Sequence, residues 1–306
     1  MTATPAKSGN PPKIIVFSSE KGGVGKTTTT VNMGALLASY GCRVLIIDFD
    51  PQVSTCECFA LGAIAKPRTI CALMHVASNG GIPDVAAAII DMSHELPEEP
   101  GGGALHIIGT STATMTEYTD YVTNAAKQPE SRKEATLSLR RFLLQYAHGY
   151  DYILIDNPPT TNALNVVPLA AADYVCGVSE PEFLSVKGII TLYKEVQRVP
   201  EITGGEARPV YLGTLLNGTD LRETAQARKV RADYEAGFPD PTNGGRTSLR
   251  PFEKSIRDFE DYSKAVASGL PAVLLYPDQP CADQYQDFAE ELASVIGAYE
   301  AGSVLA

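Results

Sequence analysis

The segment that most constrains this chain is Glu20-Lys21-Gly22-Gly23-Val24-Gly25-Lys26-Thr27-Thr28. It falls between an apolar run at 13–19 (KIIVFSS), which reads as a buried strand, and a helical stretch at 27–40 closed by Gly41. Glycines accept positive φ and allow close approach, so successive N–H groups can turn inward toward an anion. A helix starting at Thr27 would add the positive end of its dipole. Gly22, Gly23, Val24, Gly25, Lys26, Thr27 and Thr28 therefore read as a phosphate cradle. Lys26 would neutralise β/γ-phosphate charge, and the Thr27 hydroxyl would join a Mg²⁺ shell. A Gly-rich turn by itself can be purely structural. Here strand, glycines, Gly-Lys-Thr and helix occur in the order a phosphate site requires.

The rest of the chain repeats the same alternation. Apolar, β-branched runs at 43–49, 104–109, 152–156, 174–179 and 210–216 are separated by stretches of helical character, including 131–148 and a final helix at about 282–299. This pattern predicts an α/β fold: a doubly wound, mostly parallel sheet with helices on both faces. Turn-rich loops at 97–103 (PEEPGGG), 204–205 and 239–245 (PDPTNGG) are too short to be domain linkers. We expect a disordered tail over 1–12 and one domain over 13–306.

Composition excludes several classes. With a net charge of −11, the whole molecule is not a polycation, so any nucleic-acid contact needs a local basic patch. No apolar run is long enough to suggest a membrane span, and the first twelve residues lack a signal-peptide core. The six cysteines match neither a disulfide framework nor a zinc-ligand spacing, and reduced thiols in a cytoplasmic protein are the expectation.

Two further segments fit the phosphate site. Ile47-Asp48-Phe49-Asp50-Pro51-Gln52 ends the second run, and Ile153-Leu154-Ile155-Asp156-Asn157-Pro158-Pro159 ends the fourth. A carboxylate at the C-terminal end of a parallel strand can hold Mg²⁺, directly or through water. The guanine-specifying N-K-x-D signature is absent, which favours ATP over GTP.

The loop departs from G-x-x-x-x-G-K-[ST] by carrying Glu20 at the first glycine position and a second lysine, Lys21, after it. In this the sequence resembles the ParA/MinD family of deviant Walker A P-loop ATPases, whose loop reads K-G-G-x-G-K-[ST]. The resemblance implies that Lys21 reaches across a nucleotide-sandwich homodimer to the partner's phosphates, although spacing alone also allows a solvated charge. It makes Lys21, Lys26 and Asp50 the catalytic set, with Asp50 orienting the attacking water. Thr27, Asp48 and Asp156 become the metal set, and Asp50, Pro51, Pro158 and Pro159 belong to the two switches. Asn217, in LLNGTD, stands where the family often contacts adenine, or else is a turn-forming Asn. ATP and Mg²⁺ are the implied cofactors.

Within the family, Asn162-Ala163-Leu164 and 170–174 (AAADY) are similar to the helix and strand after the second switch. The 181–188 stretch (PEFLSVKG) and Gln52 resemble the ParA branch. MinD-like membrane docking is not expected, because no lysine or arginine follows Lys264. Electron carriers on this scaffold need a cysteine close after Asp156, and the next is Cys176. ParA proteins bind DNA non-specifically as ATP dimers. Here Arg222, Arg228, Lys229, Arg231, Arg246, Arg250, Lys254 and Arg257 form a late basic cluster. Arg222 and Arg257 stand nearest the family's DNA-contacting positions, with a solvated mixed-charge surface as the alternative. The resemblance thus implies slow, partner-stimulated hydrolysis and partition of a plasmid or chromosome with a ParB-like or cargo-adaptor protein. The ATP-bound form would sit on the nucleoid. An ATP-switched positioning protein acting through protein contacts is the alternative, and a metabolic ligase or reductase on the same scaffold is a third reading.

Overall fold

Ile14 and Val16 pack against one layer of helices and Ile15 and Phe17 against the other, so strand β1 (Lys13–Ser18) is buried on both faces. Such a strand belongs in the interior of a parallel sheet. The structure, a computed structural model, describes residues 11–97, 103–159, 162–219, 225–239, 246–247 and 249–302. Arg222, most of the 97–103 loop and residues 240–245 lie outside them, as does the expected tail apart from its last two residues.

From β1 the chain enters α1 (Lys26–Ser39), β2 (Arg43–Asp48) and α2 (Ser54–Cys58). Next come α3 (Ile70–Ser78), α4 (Val85–Ala88), β3 (Ile90–Asp91) and β4 (Ala104–Ile108). Helices α5 (Thr112–Ala125) and α6 (Pro129–Tyr146) lead to β5 (Tyr152–Asp156). Then α7 (Ala163–Ala171), β6 (Tyr174–Ser179), α8 (Phe183–Ile202) and β7 (Val210–Thr219) alternate. Helix α9 (Ala225–Ala236) precedes a small ribbon, β8 (Phe238–Pro239) with β9 (Arg246–Thr247), and then β10 (Pro251–Arg257). The described chain closes with α10 (Glu260–Ser268), α11 (Ala272–Leu275) and α12 (Pro280–Glu300).

The main sheet has eight strands in the order β10-β7-β6-β1-β5-β2-β4-β3, parallel except for β3 against β4. Helices α3 and α5 to α8 cover one face, while α1, α11 and α12 cover the other. The doubly wound expectation therefore holds. At β1 the connections diverge: α1 leads to β2 beyond β5, and α7 carries the chain from β5 across to β6. That reversal opens a crevice at the C-terminal strand ends, where ligands of such sheets bind.

Local chemistry explains where some boundaries differ from expectation. Helix α6 begins at Pro129 instead of 131, because proline suits the first helical turn, and α12 begins at Pro280 for the same reason. Helix α1 begins at Lys26, one residue early, since Gly25 is its N-cap. Strand β7 runs on to Thr219. Helices α3 and α5 carried no expectation; Thr69 and Ser111 start them by accepting bonds from Ala72 and Thr114 amides. Edge strand β10 was also unforeseen. Its outward amides are occupied: those of Glu253 and Lys254 donate to Glu291 at 2.7 and 2.8 Å, and that of Arg257 to Gln284 at 2.7 Å. Helix α12 thereby blunts an edge that would otherwise invite pairing. All six cysteines are free, and no helix among the described residues is long and apolar enough to cross a membrane.

Candidate functional site

Gly25 has φ +88° and is the N-cap of α1 with no side chain to cap it, so the first N–H groups of that helix face the loop unsatisfied. Gly23 also takes a positive φ, +77°. Val24 between them is buried and anchors the loop in the core. The result is a concave run of amides at a helix N-terminus, the arrangement that holds phosphate.

A distant strand braces this loop. Asn217 of β7 donates through Nδ2 to the Val24 carbonyl at 2.7 Å, and a Cβ on Gly25 would lie 1.9 Å from that nitrogen. Gly25 is thus required by conformation and by contact. Gly25→Ala should lower affinity for ATP with Mg²⁺ by about tenfold or more, the equivalent of 1–3 kcal/mol of backbone strain, read by titration calorimetry. Adding Asn217→Ala should recover part of the loss by removing the clash.

Lys26 is 6% exposed, and its Nζ donates to the Lys21 carbonyl at 3.2 Å. Burial lowers its pKa, opposed by the nearby Asp156 and Asp50. An ammonium this buried is costly unless an anion completes its surroundings. Lys21 points elsewhere: its ammonium pairs with Glu180 and, at 2.9 Å, with Glu182, both in the turn after β6. Those carboxylates raise the Lys21 pKa. Glu20 packs toward α8, and burial followed by the charge of Glu195 raises its carboxyl to about 7. Gly188 leaves room there, since a Cβ on it would lie 3.6 Å from that of Glu20.

Asp48 and Asp156 end neighbouring strands in direct register. Both are fully buried, and burial raises both carboxyls, Asp48 further because Asp156 adjoins it. The Asp48 oxygens accept from the Asp50 amide at 3.2 Å and the Cys56 amide at 3.3 Å, so Asp48 shapes the turn after β2. Asp156 accepts from the Thr55 hydroxyl at 2.9 Å, the nearby Thr27 hydroxyl offsets part of the effect of burial, and its Oδ1 is buried without a partner. An orphaned carboxylate oxygen beside a hydroxyl at the loop's end is a donor set suited to Mg²⁺, a hard cation with oxygen ligands. Thr27 and Asp156 would hold it, with Asp48 behind them.

Asp50 is 5% exposed; burial raises its carboxyl, and its Oδ1 accepts from the Gln52 amide at 2.8 Å. The turn continues into Val53 at φ 60°, a left-handed conformation that costs a β-branched residue about 1–3 kcal/mol. Thr112 at the head of α5 donates to the Pro51 carbonyl at 3.1 Å and pins this turn. After β5, Pro159 lies against Gly22, 4.0 Å from where a Cβ would sit, just past Pro158. Asn157, fully buried, donates to Ser18 at 2.7 Å and to Asn165 at 2.6 Å, tying the end of β5 to β1 and α7.

One crevice thus gathers Lys26, Thr27, Asp48, Asp50 and Asp156, with Asn217 behind the loop. Thr55 joins them through Asp156 without any local signal in the sequence, and Glu180 and Glu182 meet Lys21 outside the crevice, equally unsignalled. The late basic residues fall on two neighbouring elements. Arg228, Lys229 and Arg231 lie on α9, whereas Lys254 and Arg257 lie on β10. Lys254 pairs with Asp287 at 3.0 Å, and Arg231 donates to the Phe252 carbonyl at 3.2 Å.

Comparison with known proteins places this geometry. The AAA-domain family AAA_31 matches residues 12–205. The chromosome partitioning protein ParA of Caulobacter vibrioides is 31% identical over 292 residues, covering 94% of this chain and 96% of that protein. Among solved structures, Cyanothece McdA in an ATP complex superposes with a TM-score of 0.72 at 22% identity, covering 93% of this chain and 98% of that one. Cobyrinic acid a,c-diamide synthase of Mycobacterium smegmatis, with a bound ATP analogue and magnesium, gives 0.68 at 21% identity, covering 95% and 97%.

Proposed function

The chain belongs to the AAA_31 family of P-loop ATPases, in its ParA-type deviant Walker A branch, and from that membership we propose that it is a DNA-partition ATPase working as an ATP-sandwich dimer. ATP and Mg²⁺ are its cofactors. The nucleotide triphosphate lies along the loop amides with Lys26 at its β/γ-phosphates. Thr27 and Asp156 would hold Mg²⁺, which would supply charge neutralisation there. Asp50 orients water for attack on the γ-phosphate, and positioning with charge neutralisation supplies most of the catalysis.

The observation that carries the dimer is the place of Lys21. It shares the loop with Lys26, yet its ammonium lies outside its own cradle, 40% exposed and paired with Glu180 and Glu182. A lysine there serves a phosphate presented by a second protomer. ATP closes the dimer, the dimer holds DNA without sequence preference, and a ParB-like partner stimulates hydrolysis and release. Arg257, at the C-terminal end of β10, and the exposed Arg228, Lys229 and Arg250 are among the described groups for phosphate contact. Lys254 and Arg231 are engaged within the chain, which supports a second reading in which the dimer carries a protein cargo.

The test is DNA retention by purified protein. With ATP and Mg²⁺, retention should appear at low salt and weaken about 100-fold between about 50 and 200 mM salt, as about four phosphate contacts require. Arg257→Ala should flatten that dependence by about one contact. ATP-dependent dimerisation without retention would favour the protein-cargo reading.

A further inference from the structure

Lys21 makes its two ion pairs across the fold, 159 and 161 residues along the chain. Both partners sit in the tight turn from β6 into α8, where the Glu182 amide donates to the Glu180 carbonyl at 2.8 Å. That turn is fixed in place. Ser179 donates to the Glu180 carbonyl at 3.0 Å and bonds Tyr234 of α9 at 2.9 Å. Glu180 also lies against Gly218, next to the Asn217 that braces the loop. Glu182, the N-cap residue of α8, makes no capping bond; its carboxylate goes to Lys21 instead.

We propose that Glu180 and Glu182 are positioning residues that hold Lys21 on its own chain in the nucleotide-free monomer and so set the threshold for dimer closure. The inference rests on the interface role given to Lys21 above and adds what that lysine must leave. An ammonium extended to the turn between β6 and α8 of its own chain must leave both carboxylates to reach a triphosphate on a facing protomer, so closure breaks the pairs. The backbone carries a second restraint, because Lys26 holds the Lys21 carbonyl. Bound phosphate draws Lys26 away from that carbonyl and loosens the loop where Lys21 is mounted. Nucleotide in one protomer thereby makes its own trans-acting lysine available, and two empty subunits do not close.

The experiment is sedimentation velocity on the full chain with adenosine 5′-(γ-thio)triphosphate and Mg²⁺. Glu180→Gln with Glu182→Gln should lower the dimer dissociation constant about three- to tenfold, the range for two partly exposed pairs. Nucleotide affinity measured below the dimerisation range should stay within about twofold. Glu182→Gln alone should shift dimerisation in the same direction by less. In a Lys21→Ala background the glutamine changes should have no effect, a readout that a merely structural role would not produce. Unchanged or weaker dimerisation of the glutamine variant overturns the latch, including the case where its melting temperature also falls. If Lys21→Ala itself dimerises like the parent, the interface reading fails. If it does not dimerise while the glutamine variant matches the parent, the latch alone fails.

Discussion

Lys26→Ala should lower affinity for ATP with Mg²⁺ by about 100-fold or more while the protein stays folded. Losing a buried charge-assisted contact typically costs about 2–5 kcal/mol, and each 1.4 kcal/mol is a factor of ten. Lys26 has the features of such a group. It is 6% exposed, burial works against its charge, and the only described hydrogen bond of its ammonium is to the Lys21 carbonyl at 3.2 Å. That bond is a weak return for burying an ammonium, so the gain comes from ligand and not from folding. Removing the ammonium takes out no ion pair among the described residues, so the melting temperature should change by only a few degrees. Calorimetric titration beside a thermal melt separates the two effects. Affinity within tenfold of the parent would remove Lys26 from the phosphate site.

Asp50→Ala should invert that outcome, keeping ATP and losing turnover by about 10²- to 10⁴-fold, the usual worth of a group that handles the proton of an attacking water. Asp50 lies in the turn after β2, braced by the Gln52 amide at 2.8 Å and followed by the strained Val53. Its own bond stabilises the turn, but Asp48 and the Thr112–Pro51 contact hold the same segment independently. The nucleotide cradle should therefore survive the substitution. With hydrolysis stopped, the protein should accumulate as ATP-bound dimer. Single-turnover phosphate release and sedimentation in the presence of ATP measure the two halves. An Asp50→Ala protein that fails to bind ATP would place this residue in the cradle instead of the chemistry.

The interior strands were legible because a parallel strand buried on both faces leaves little but apolar residues, as KIIVFS, RVLIID and YILID do. Strand β10, PFEKSIR, was not. It buries Phe252 and Ile256 but shows Glu253 and Lys254 to solvent, and a proline opens it. What makes it a strand is β7 alongside and the carboxylate of Glu291 accepting its amides. Helix α5 was hidden by its threonines, which are indifferent helix formers; burial of Met115, Tyr118 and Val122 decides the matter. The late basic residues read as one cluster because they are close in sequence; the fold carries them on a helix and a strand that meet where Arg231 donates to the Phe252 carbonyl.

The same division runs through the site. The chain from Glu20 to Thr28 determined its own chemistry: glycine torsions, a buried lysine and a hydroxyl at a helix start follow from residue types a few bonds apart. Asp48 and Asp156 were legible as strand-end carboxylates for the same local reason. Tertiary structure alone decided that these two meet in register, that Asn217 holds Val24 from 193 residues away, and that Lys21 rests on Glu180 and Glu182. Backbone torsions are settled by near neighbours, whereas a charge takes whichever partner the sheet order delivers. The order that sets β6 beside β1 gives Lys21 its glutamates.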